Sequence, residues 1–580
     1  MSKHHPYARL YRMLRLMRRL HVGEQQAVVV QALLMGLAGA AAALLFDAST
    51  GLLQWLATGL MPGTGVERFA TMPAWLCVLL PACGAVPAAL VLAYALKRAR
   101  HPVPEYMEAF SLGDGRLPRR QGLWRSLSAV LSLATGASIG KEGALIQISA
   151  VAASAVGRWL YVSPVRLRLL VGCGAAAGMT AAFHTPLSSC LFVCEVVVGT
   201  FSIATLAPLL LASCAAYMLV WVLGLSGALF EAPLTLGSLR EVLLCTGLAV
   251  LAALLGKAWV GVLNVCRRLL GGRLEWLLPR MVMAGVAVGL VALVEPYVVG
   301  NGYEAIRAIS QGLFSPGQAA LLLLIKALMV AVVFGVGTMG GVLTPTLLVG
   351  ALVGYLYGCG LADSSLCAPE SVIAYAFVGM AAFFAVSGRA PVTALLLVIE
   401  LTMSAEMIFP LMLGVGVAYA LGRVLPGGSL YDGSVTSGPS TPFDTGLTAM
   451  RVEHLCRPLR ARVGPATAMD RVMRLMLRHP GENVPVQNEE GLCIGVVRPS
   501  RFPADAMAWA GDAASAMDCS LPRLRTDQTL PEALAIFQTV DCNALPVEDA
   551  RSGRLLGSLS RAELYQIMAL MFRRELAHRH

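Results

Sequence analysis

The chain has 580 residues, of which 57% are hydrophobic and only 14% are charged, and its mean hydropathy is +0.69. This composition excludes an ordinary soluble protein, and continuous apolar stretches of about 18 or more residues predict membrane-spanning helices rather than barrel strands. The net charge of +11 lies mainly beside apolar segments, so no nucleic-acid partner is expected. The 14 cysteines are scattered and indicate neither a disulfide framework nor a metal site.

A basic segment opens the chain. Residues 1–20 carry six cationic side chains: Lys3, Arg9, Arg12, Arg15, Arg18 and Arg19. Cationic residues beside the first apolar stretch favour a cytoplasmic position. We therefore predict a basic cytoplasmic helix over residues 1–26, with no cleavable signal peptide.

Long apolar runs follow this segment. They cover about 27–60, 73–97, 124–160, 166–223, 240–265, 279–299, 317–337, 341–361, 371–403 and 405–425. Several are interrupted by Gly, Pro or charge, and we expect the first, 27–60, to be a broken span. Short interrupted helices are typical of ion-conducting proteins whose site lies at broken helix ends. The pattern predicts an all-α polytopic membrane protein.

An internal repeat relates two halves of this region. Pro186 and Pro391 are separated by 205 residues, and so are Glu195 and Glu400, within similar apolar contexts. The repeats are predicted to span about 27–235 and 240–440 within a membrane domain of residues 27–440. An odd number of spans in each half would make the repeats inverted.

A soluble tail follows the polar segment at residues 434–446. Residues 441–580 contain two similar copies at about 450–503 and 512–570, each with a helix followed by short strands. The sequence therefore predicts a pair of small α/β units behind the membrane domain.

The stretch from Thr135 to Leu145, TGASIGKEGAL, lies between two apolar runs and holds a carboxylate. Placing an ionised group at the bilayer centre costs about 2.5–3.5 kcal/mol, and such groups are functional by default. Gly140 and Gly143 predict exposed backbone at a helix start, where free amides favour a negative charge. Glu142 is therefore predicted to share this place with a diffusing anion.

Further motifs accompany this stretch: GVLTP at Gly341–Pro345 and GGSLYDG around Tyr431, with Glu195 and Glu400 at matching points of the two halves. Together with GKEG at Gly140–Gly143, they resemble the CLC family of chloride channels and proton/chloride antiporters, and are most similar to the bacterial ClcB-type branch. The resemblance implies an inverted repeat of broken helices and a homodimer in the cell inner membrane, with the basic N-terminal segment and the tail cytoplasmic. The tail resembles a CBS-domain pair.

The resemblance also implies roles for individual residues. Glu142 is expected to be the gate. The anion is expected to bind Gly140, Lys141, Gly143, Val342, Leu343 and Tyr431, and His101 takes the position of a pore serine. Lys141 is equally well interpreted as a snorkelling residue. Glu195 and Glu400 are interpreted mainly as structural, through capping or pairing with Arg389, with a conduction role as the alternative.

Val196 stands where antiporters of the family carry an inner proton-transfer glutamate. Because valine binds no proton, the sequence favours a passive, voltage- and proton-sensitive anion channel. The alternatives are an antiporter with another proton route and a sensor whose tail is the working part. The motifs do not rank chloride against nitrate or fluoride.

The tail contains a candidate nucleotide-binding element. In the CBS family a Ser/Thr-x-x-Asp element holds a nucleotide ribose, and here the second copy has Ser560 to Glu563 while the first has Arg498 to Arg501. A structural role is therefore favoured over adenine-nucleotide binding. No cofactor is required, and no nucleophile, base or metal set predicts an enzyme.

Overall fold

The computed structural model describes most of the membrane region and much of the tail. The described residues are 24–59, 65–98, 106–111, 115–160, 162, 164–199, 201–225, 227–230, 236, 238–431, 451–459, 462–478, 483–498, 511–540 and 542–564. His101, the segment 434–446 and nearly all of the predicted basic helix over 1–26 lie outside these residues.

The first half of the membrane region consists of helices of very different length. They are α1 Glu24–Ala57, α2 Gly65–Thr71, α3 Ala74–Lys97, α4 Tyr106–Ser111, α5 Arg119–Ala134, α6 Glu142–Trp159, α7 Pro164–Phe183, α8 Pro186–Phe192, which continues as a π-helical turn over Val193–Val198, and α9 Ile203–Val222. The prediction of a broken span over 27–60 was wrong, because α1 is one helix of 34 residues. Its glycines continue the helix and allow close packing, as Gly36 does against Ala212 of α9.

The second half begins at Leu239. Its helices are α10 Leu239–Leu270, α11 Leu277–Ala292, α12 Tyr303–Ser310, α13 Pro316–Gly335, α14 Leu343–Asp363, α15 Val372–Gly388, α16 Pro391–Thr402 and α17 Ile408–Val424, with single 3-10 turns at Leu274–Trp276, Pro296–Val298 and Pro369–Ser371. Within the described residues, eight helices are long and apolar enough to cross a membrane.

The two halves repeat the same interruption of helices. Between α7 and α8 the chain turns at His184, with φ of 60°, and between α15 and α16 it turns at Arg389, with φ of 55°. Each following helix begins with proline, Pro186 or Pro391, whose fixed φ suits the first helical position. The repeat inferred from the spacing of 205 residues therefore corresponds to equivalent broken helix pairs.

The membrane core is close-packed through small residues. A Cβ atom added at Gly354 of α14 would lie 2.2 Å from the carbonyl oxygen of Tyr375 in α15. Any larger residue would separate these two helices, of which α15 is buried at every residue except the partly exposed Ile373. Within a lipid bilayer no hydrophobic effect drives helices together, so close packing through small residues is what holds them in contact.

The tail contains short strands and helices. They are β1 Arg457–Pro458, α18 Met469–Arg478, β2 Val484–Gln487, β3 Cys493–Val497, α19 Ala513–Ala516, β4 Leu524–Arg525, α20 Leu530–Thr539, β5 Ala544–Glu548 and β6 Leu555–Ser560, with a 3-10 turn at Val452–His454. One sheet has the order β1-β6-β5-β4, in which β4 and β5 are parallel, and β2 pairs antiparallel with β3. A helix followed by a hairpin in each copy is compatible with a CBS pair.

Candidate functional site

The two halves meet at the starts of α6 and α14. The amide of Gly140 donates to the carbonyl oxygen of Gly341, and the amide of Gly341 donates to that of Gly140, both at 2.7 Å. Each helix begins two residues later, at Glu142 and at Leu343. The Gly140 amide is thus already hydrogen-bonded in this conformation, and its anion-binding role stays a prediction.

The carboxylate of Glu142, the first residue of α6, lies at the start of α14 in the other half. The side chain of Glu142 is buried, with the residue only 1% exposed, and its Oε1 accepts a hydrogen bond from the hydroxyl of Thr344, the second residue of α14. Its Oε2 has no hydrogen-bond partner among the described residues. The carboxylate therefore occupies a helix N-terminus from the opposite repeat, a position suited to any small anion.

The first amides of α6 and α14 are not used within their own helices. The first backbone hydrogen bonds of the two helices run from Leu145 to Lys141 and from Thr346 to Val342, both at 3.0 Å. The earlier amides of both helices, including those of Gly143 and Leu343, consequently have no acceptor within their own helix. Val342 and Leu343 are buried, at 7% and 3% exposed, and contact of their amides with an anion stays a prediction.

Lys141 is engaged by a carboxylate that the sequence interpretation did not include. Its ammonium lies 2.5 Å from Oδ1 of Asp47 in α1 and 5.7 Å from the ring centroid of Tyr303. Asp47 is the only acidic residue in the run 27–60, and an intramembrane carboxylate is itself a signal for a partner. The Asp47 charge offsets that of Lys141, and attraction of anions by Lys141 stays a prediction.

A cavity of about 280 Å³ opens beside this ion pair. Its wall includes Asp47, Gln54, Lys141, Tyr297, Val299, Gly300, Asn301, Gly302 and Glu304. The Glu304 carboxylate accepts hydrogen bonds from the amides of Gly65 and Val66 at 2.9 and 2.6 Å, which fixes α2 to this wall. Lys141 thus lies in the cavity wall, and the residue that follows it in the sequence is the buried Glu142.

Tyr431 lies at the end of the membrane region. Its ring packs edge to face against Phe192 with 5.6 Å between centroids. The loop before it is held by Lys257 of α10, whose ammonium donates to the carbonyl oxygens of Gly427 and Gly428 at 3.3 and 3.4 Å. The tyrosine is thus supported from two directions, and its contact with an anion stays a prediction.

Glu195 and Glu400 cap each other's helix pair. Glu195 accepts from the amides of Val392 and Thr393 at 3.2 and 2.8 Å, and from the Thr393 hydroxyl at 2.7 Å. Glu400 accepts from the amides of Leu187 and Ser188 at 2.9 and 2.7 Å, and from the Ser188 hydroxyl at 2.5 Å. This exchange favours the structural interpretation through capping. The glutamates bind backbone amides rather than Arg389, and the Arg389 guanidinium donates to the Gly427 carbonyl oxygen at 3.1 Å.

Val196 lies in the π-helical turn directly after Glu195 and is 6% exposed. Its surroundings are apolar, as the core cluster that contains it shows. The structure thus places a buried aliphatic side chain where the family resemblance predicts the inner proton glutamate of antiporters.

The candidate ribose element of the tail is occupied by protein groups. The amide of Ser560 donates to the Glu563 carboxylate, the amide of Glu563 donates to the Ser560 hydroxyl, and Arg457 forms an ion pair with Glu563. In the first copy, Arg498 forms a buried ion pair with Asp518. A nucleotide ribose would have to displace these contacts, which supports a structural role for the two tail copies.

Within the residues that the structure describes, no group of three or more His, Cys, Asp or Glu side chains is arranged to hold a metal ion. The arrangement offers instead a buried carboxylate between two helix starts, repeat-related broken helices and a polar cavity. These features define the class of polytopic membrane proteins whose site, at broken helix ends, suits a small anion.

Comparison with known proteins gives the family. The family described as voltage gated chloride channel matches residues 83–423. A protein of Ralstonia nicotianae described as a ClcB-like chloride channel protein is 37% identical over 407 residues, which cover 69% of this chain and 94% of that protein. The chain belongs to this CLC family, whose members transport chloride across membranes.

Two solved structures share the fold. A slow cyanobacterial Cl⁻/H⁺ antiporter is 20% identical, with a TM-score of 0.61 over 70% of this chain and 96% of that one. A eukaryotic CLC transporter is 18% identical, with a TM-score of 0.64 over 92% of this chain and 97% of that one. They establish the CLC fold with its inverted repeat.

Proposed function

We propose that this protein is a passive, voltage- and proton-sensitive chloride channel gated by Glu142. The observation that carries the proposal is the Glu142 carboxylate at the N-terminus of α14, bonded to Thr344, where it occupies a place suited to chloride. Protonation removes the negative charge and weakens the attraction of the carboxylate to the helix end. Acidity and voltage should therefore both favour the open state.

The amides at the starts of α6 and α14 support conduction rather than tight binding. They carry partial charges, and an anion that they hold is free to leave, as throughput requires. Gly143, Val342 and Leu343 supply such amides, and Tyr431 supplies a hydroxyl from the loop held by Lys257. We assign these residues, with Gly140, Lys141 and the pore-serine position His101, to the anion pathway.

The buried Val196 supports a channel over an antiporter, because it offers no proton acceptor at the inner end of the usual route. A proton/chloride antiporter with another proton route is the second candidate. Glu142 favours it, since a buried carboxylate takes up and releases a proton, and one structural neighbour is described as a Cl⁻/H⁺ antiporter.

Reconstituted flux decides between the two. Purified protein in liposomes is given a chloride gradient, and chloride and proton electrodes record both ions at once. A channel moves chloride without driving protons uphill, whereas uphill proton movement would identify an antiporter. Absence of anion flux, together with nucleotide binding by the tail, would instead support a sensor.

The same proposal includes the assembly and its setting. We expect a homodimer in the cell inner membrane, with one pore in each subunit and with the N-terminal segment and tail in the cytoplasm. Chloride and the lipid bilayer are the expected partners. The tail acts as a structural CBS pair with no required cofactor, and no enzymatic activity is expected.

A further inference from the structure

A buried lysine lies in the middle of α13. Lys326 is 0% exposed, and its ammonium contacts four consecutive carbonyl oxygens, those of Tyr297, Val298, Val299 and Gly300, at 3.5, 2.7, 3.4 and 2.9 Å. Within the described residues, no carboxylate lies within 4.0 Å of this ammonium. A charged group in a membrane-spanning helix is expensive and marks function by default.

The segment that Lys326 holds forms part of the cavity wall. Tyr297, Val299 and Gly300 line the cavity beside Lys141, and the chain continues through Gly302, with φ of 104°, into Tyr303 of α12. A lysine has three N–H donors and satisfies carbonyl groups that would otherwise be buried without partners. The position of Tyr303 therefore depends on this tether.

Tyr303 reaches the gate. Its ring packs against Phe183 and lies beneath the Lys141 ammonium, and the residue interacts electrostatically with Glu142. Its buried hydroxyl interacts with the Thr344 side chain but forms no hydrogen bond of good geometry with any described residue. Two buried polar atoms without hydrogen-bond partners among the described residues, this hydroxyl and Oε2 of Glu142, thus belong to side chains that both interact with Thr344.

The same construction occurs at the other tyrosine. Lys257 holds the carbonyl oxygens of Gly427 and Gly428, which precede Tyr431 by four and three residues. Lys326 holds carbonyl oxygens that precede Tyr303 by six to three residues. In both cases a lysine of a long membrane helix fixes a loop that ends in a tyrosine.

We propose that Lys326 is a positioning residue that fixes the segment 297–302 and so places the Tyr303 hydroxyl to donate to the anion that replaces the Glu142 carboxylate. The inference rests on the proposed function, because it requires that an anion enters this place when Glu142 leaves. Tyr303 is then a second tyrosine of the anion pathway, and it follows a different lysine-held loop from the one that precedes Tyr431. A neutral side chain at 326 frees the loop and withdraws the hydroxyl.

Chloride binding to the purified full-length protein tests the inference without depending on flux. Calorimetric titration with sodium chloride is performed in a Glu142→Ala background, in which the carboxylate no longer competes for the site. Tyr303→Phe should weaken chloride binding about tenfold, the range expected for one lost hydrogen bond to a charged group. Lys326→Gln should weaken it similarly, and Lys326→Arg, which keeps cationic donors, should restore most of the affinity.

A double-mutant comparison separates positioning from general damage. Lys326→Gln combined with Tyr303→Phe should bind chloride no more weakly than Tyr303→Phe alone, because both remove the same contact. Lys257→Gln is the matched control on the other loop, and its effect should multiply with that of Tyr303→Phe. Multiplying effects of Lys326→Gln and Tyr303→Phe would overturn the positioning role.

The remaining outcomes are also decisive. If neither Lys326 variant folds, unchanged affinity in Tyr303→Phe still overturns the inference, and a tenfold loss supports it. Unchanged affinity in a background that binds chloride contradicts the role of Tyr303 but leaves the proposed function standing. A background that binds no chloride at all contradicts both.

Discussion

The backbones of Gly140 and Gly341 exchange two hydrogen bonds of 2.7 Å, although 201 positions separate them in the sequence. This bridge sets the starts of α6 and α14 side by side. Glu142, two residues beyond the first glycine, can therefore reach Thr344, three residues beyond the second. A pair of glycines thus puts the acidic side chain of one repeat onto the helix end of the other.

Removing the carboxylate should remove the response to acid. In Glu142→Ala, no charged side chain competes with the anion at the start of α14, so chloride flux into liposomes should be high and independent of pH. Flux of the unaltered protein should rise as the pH falls and Glu142 becomes protonated. An unchanged pH response in the variant would contradict the role of Glu142 as the gate.

Thr344 should act as a latch on this gate. Thr344→Val keeps the shape of the side chain but removes its hydrogen bond to Glu142, and bonds to charged groups contribute about 1.5–3 kcal/mol. We expect flux at neutral pH to increase by about tenfold, measured by chloride efflux. Thr402→Val is the control: its hydroxyl donates to the Val398 carbonyl oxygen of its own helix, at 2.8 Å, and flux should not change. Equal flux in both variants would contradict the latch.

Gly140 should accept no larger residue. A Cβ atom there would lie 2.0 Å from Oε2 of Glu142 and 2.7 Å from the carbonyl oxygen of Gly341. Gly140→Ala should therefore displace the carboxylate, giving flux with little pH dependence, and should also lower the thermal stability. Gly360→Ala in α14 meets nothing within 4 Å and should preserve both properties. A pH response like that of the unaltered protein in Gly140→Ala would contradict this geometry.

Much of this site follows from local sequence patterns. The glycines around Glu142 predict a helix start, and the spacing of Pro186 and Pro391 predicts equivalent broken helices, because both depend on neighbouring residues. The contacts across the repeat do not. Nothing in the periodicity pairs Gly140 with Gly341 or Lys141 with Asp47, since these contacts are set by how whole helices pack.

Two further differences have the same origin. The run 27–60 has a composition that predicts a broken helix, but tertiary packing of its small residues keeps α1 continuous. Thr344 and Tyr303 were not singled out, because a hydroxyl becomes significant only through its distance to a group elsewhere in the chain. The one available signal for Thr344 was its place inside the GVLTP motif itself.

Glu195 and Glu400, which cap each other's helices, should contribute to the stability of the protein rather than to anion conduction. Glu195→Gln and Glu400→Gln each replace a charge-assisted cap by a neutral one, which should reduce stability by about 1.5–3 kcal/mol. Thermal unfolding in detergent should show losses of similar size, because the two caps use equivalent contacts. The exposed Glu406→Gln should leave the melting temperature unchanged. Altered flux at full stability would instead favour the conduction role.

The ion pair of Arg498 with Asp518 should hold β3 of the first tail copy to the start of the second. Asp518 also accepts hydrogen bonds from the amide and hydroxyl of Ser520, at 3.0 and 2.6 Å, and its side chain is only 3% exposed. Arg498→Leu removes the ion pair from this buried carboxylate, which should cost about 3 kcal/mol. Hydrogen exchange of the β3 amides in the full-length protein should then accelerate about a hundredfold.

A solvent-exposed pair in the same tail gives the comparison. Arg525 lies 3.0 Å from Asp527, but the two side chains are 56% and 44% exposed. Water screens this pair, so Arg525→Leu should change the opening free energy by less than about 1 kcal/mol. Equal acceleration of exchange in the two variants would contradict the assignment of the stabilisation to the buried pair. A much larger effect of Arg498→Leu supports it, because of the two carboxylates only that of Asp518 is desolvated.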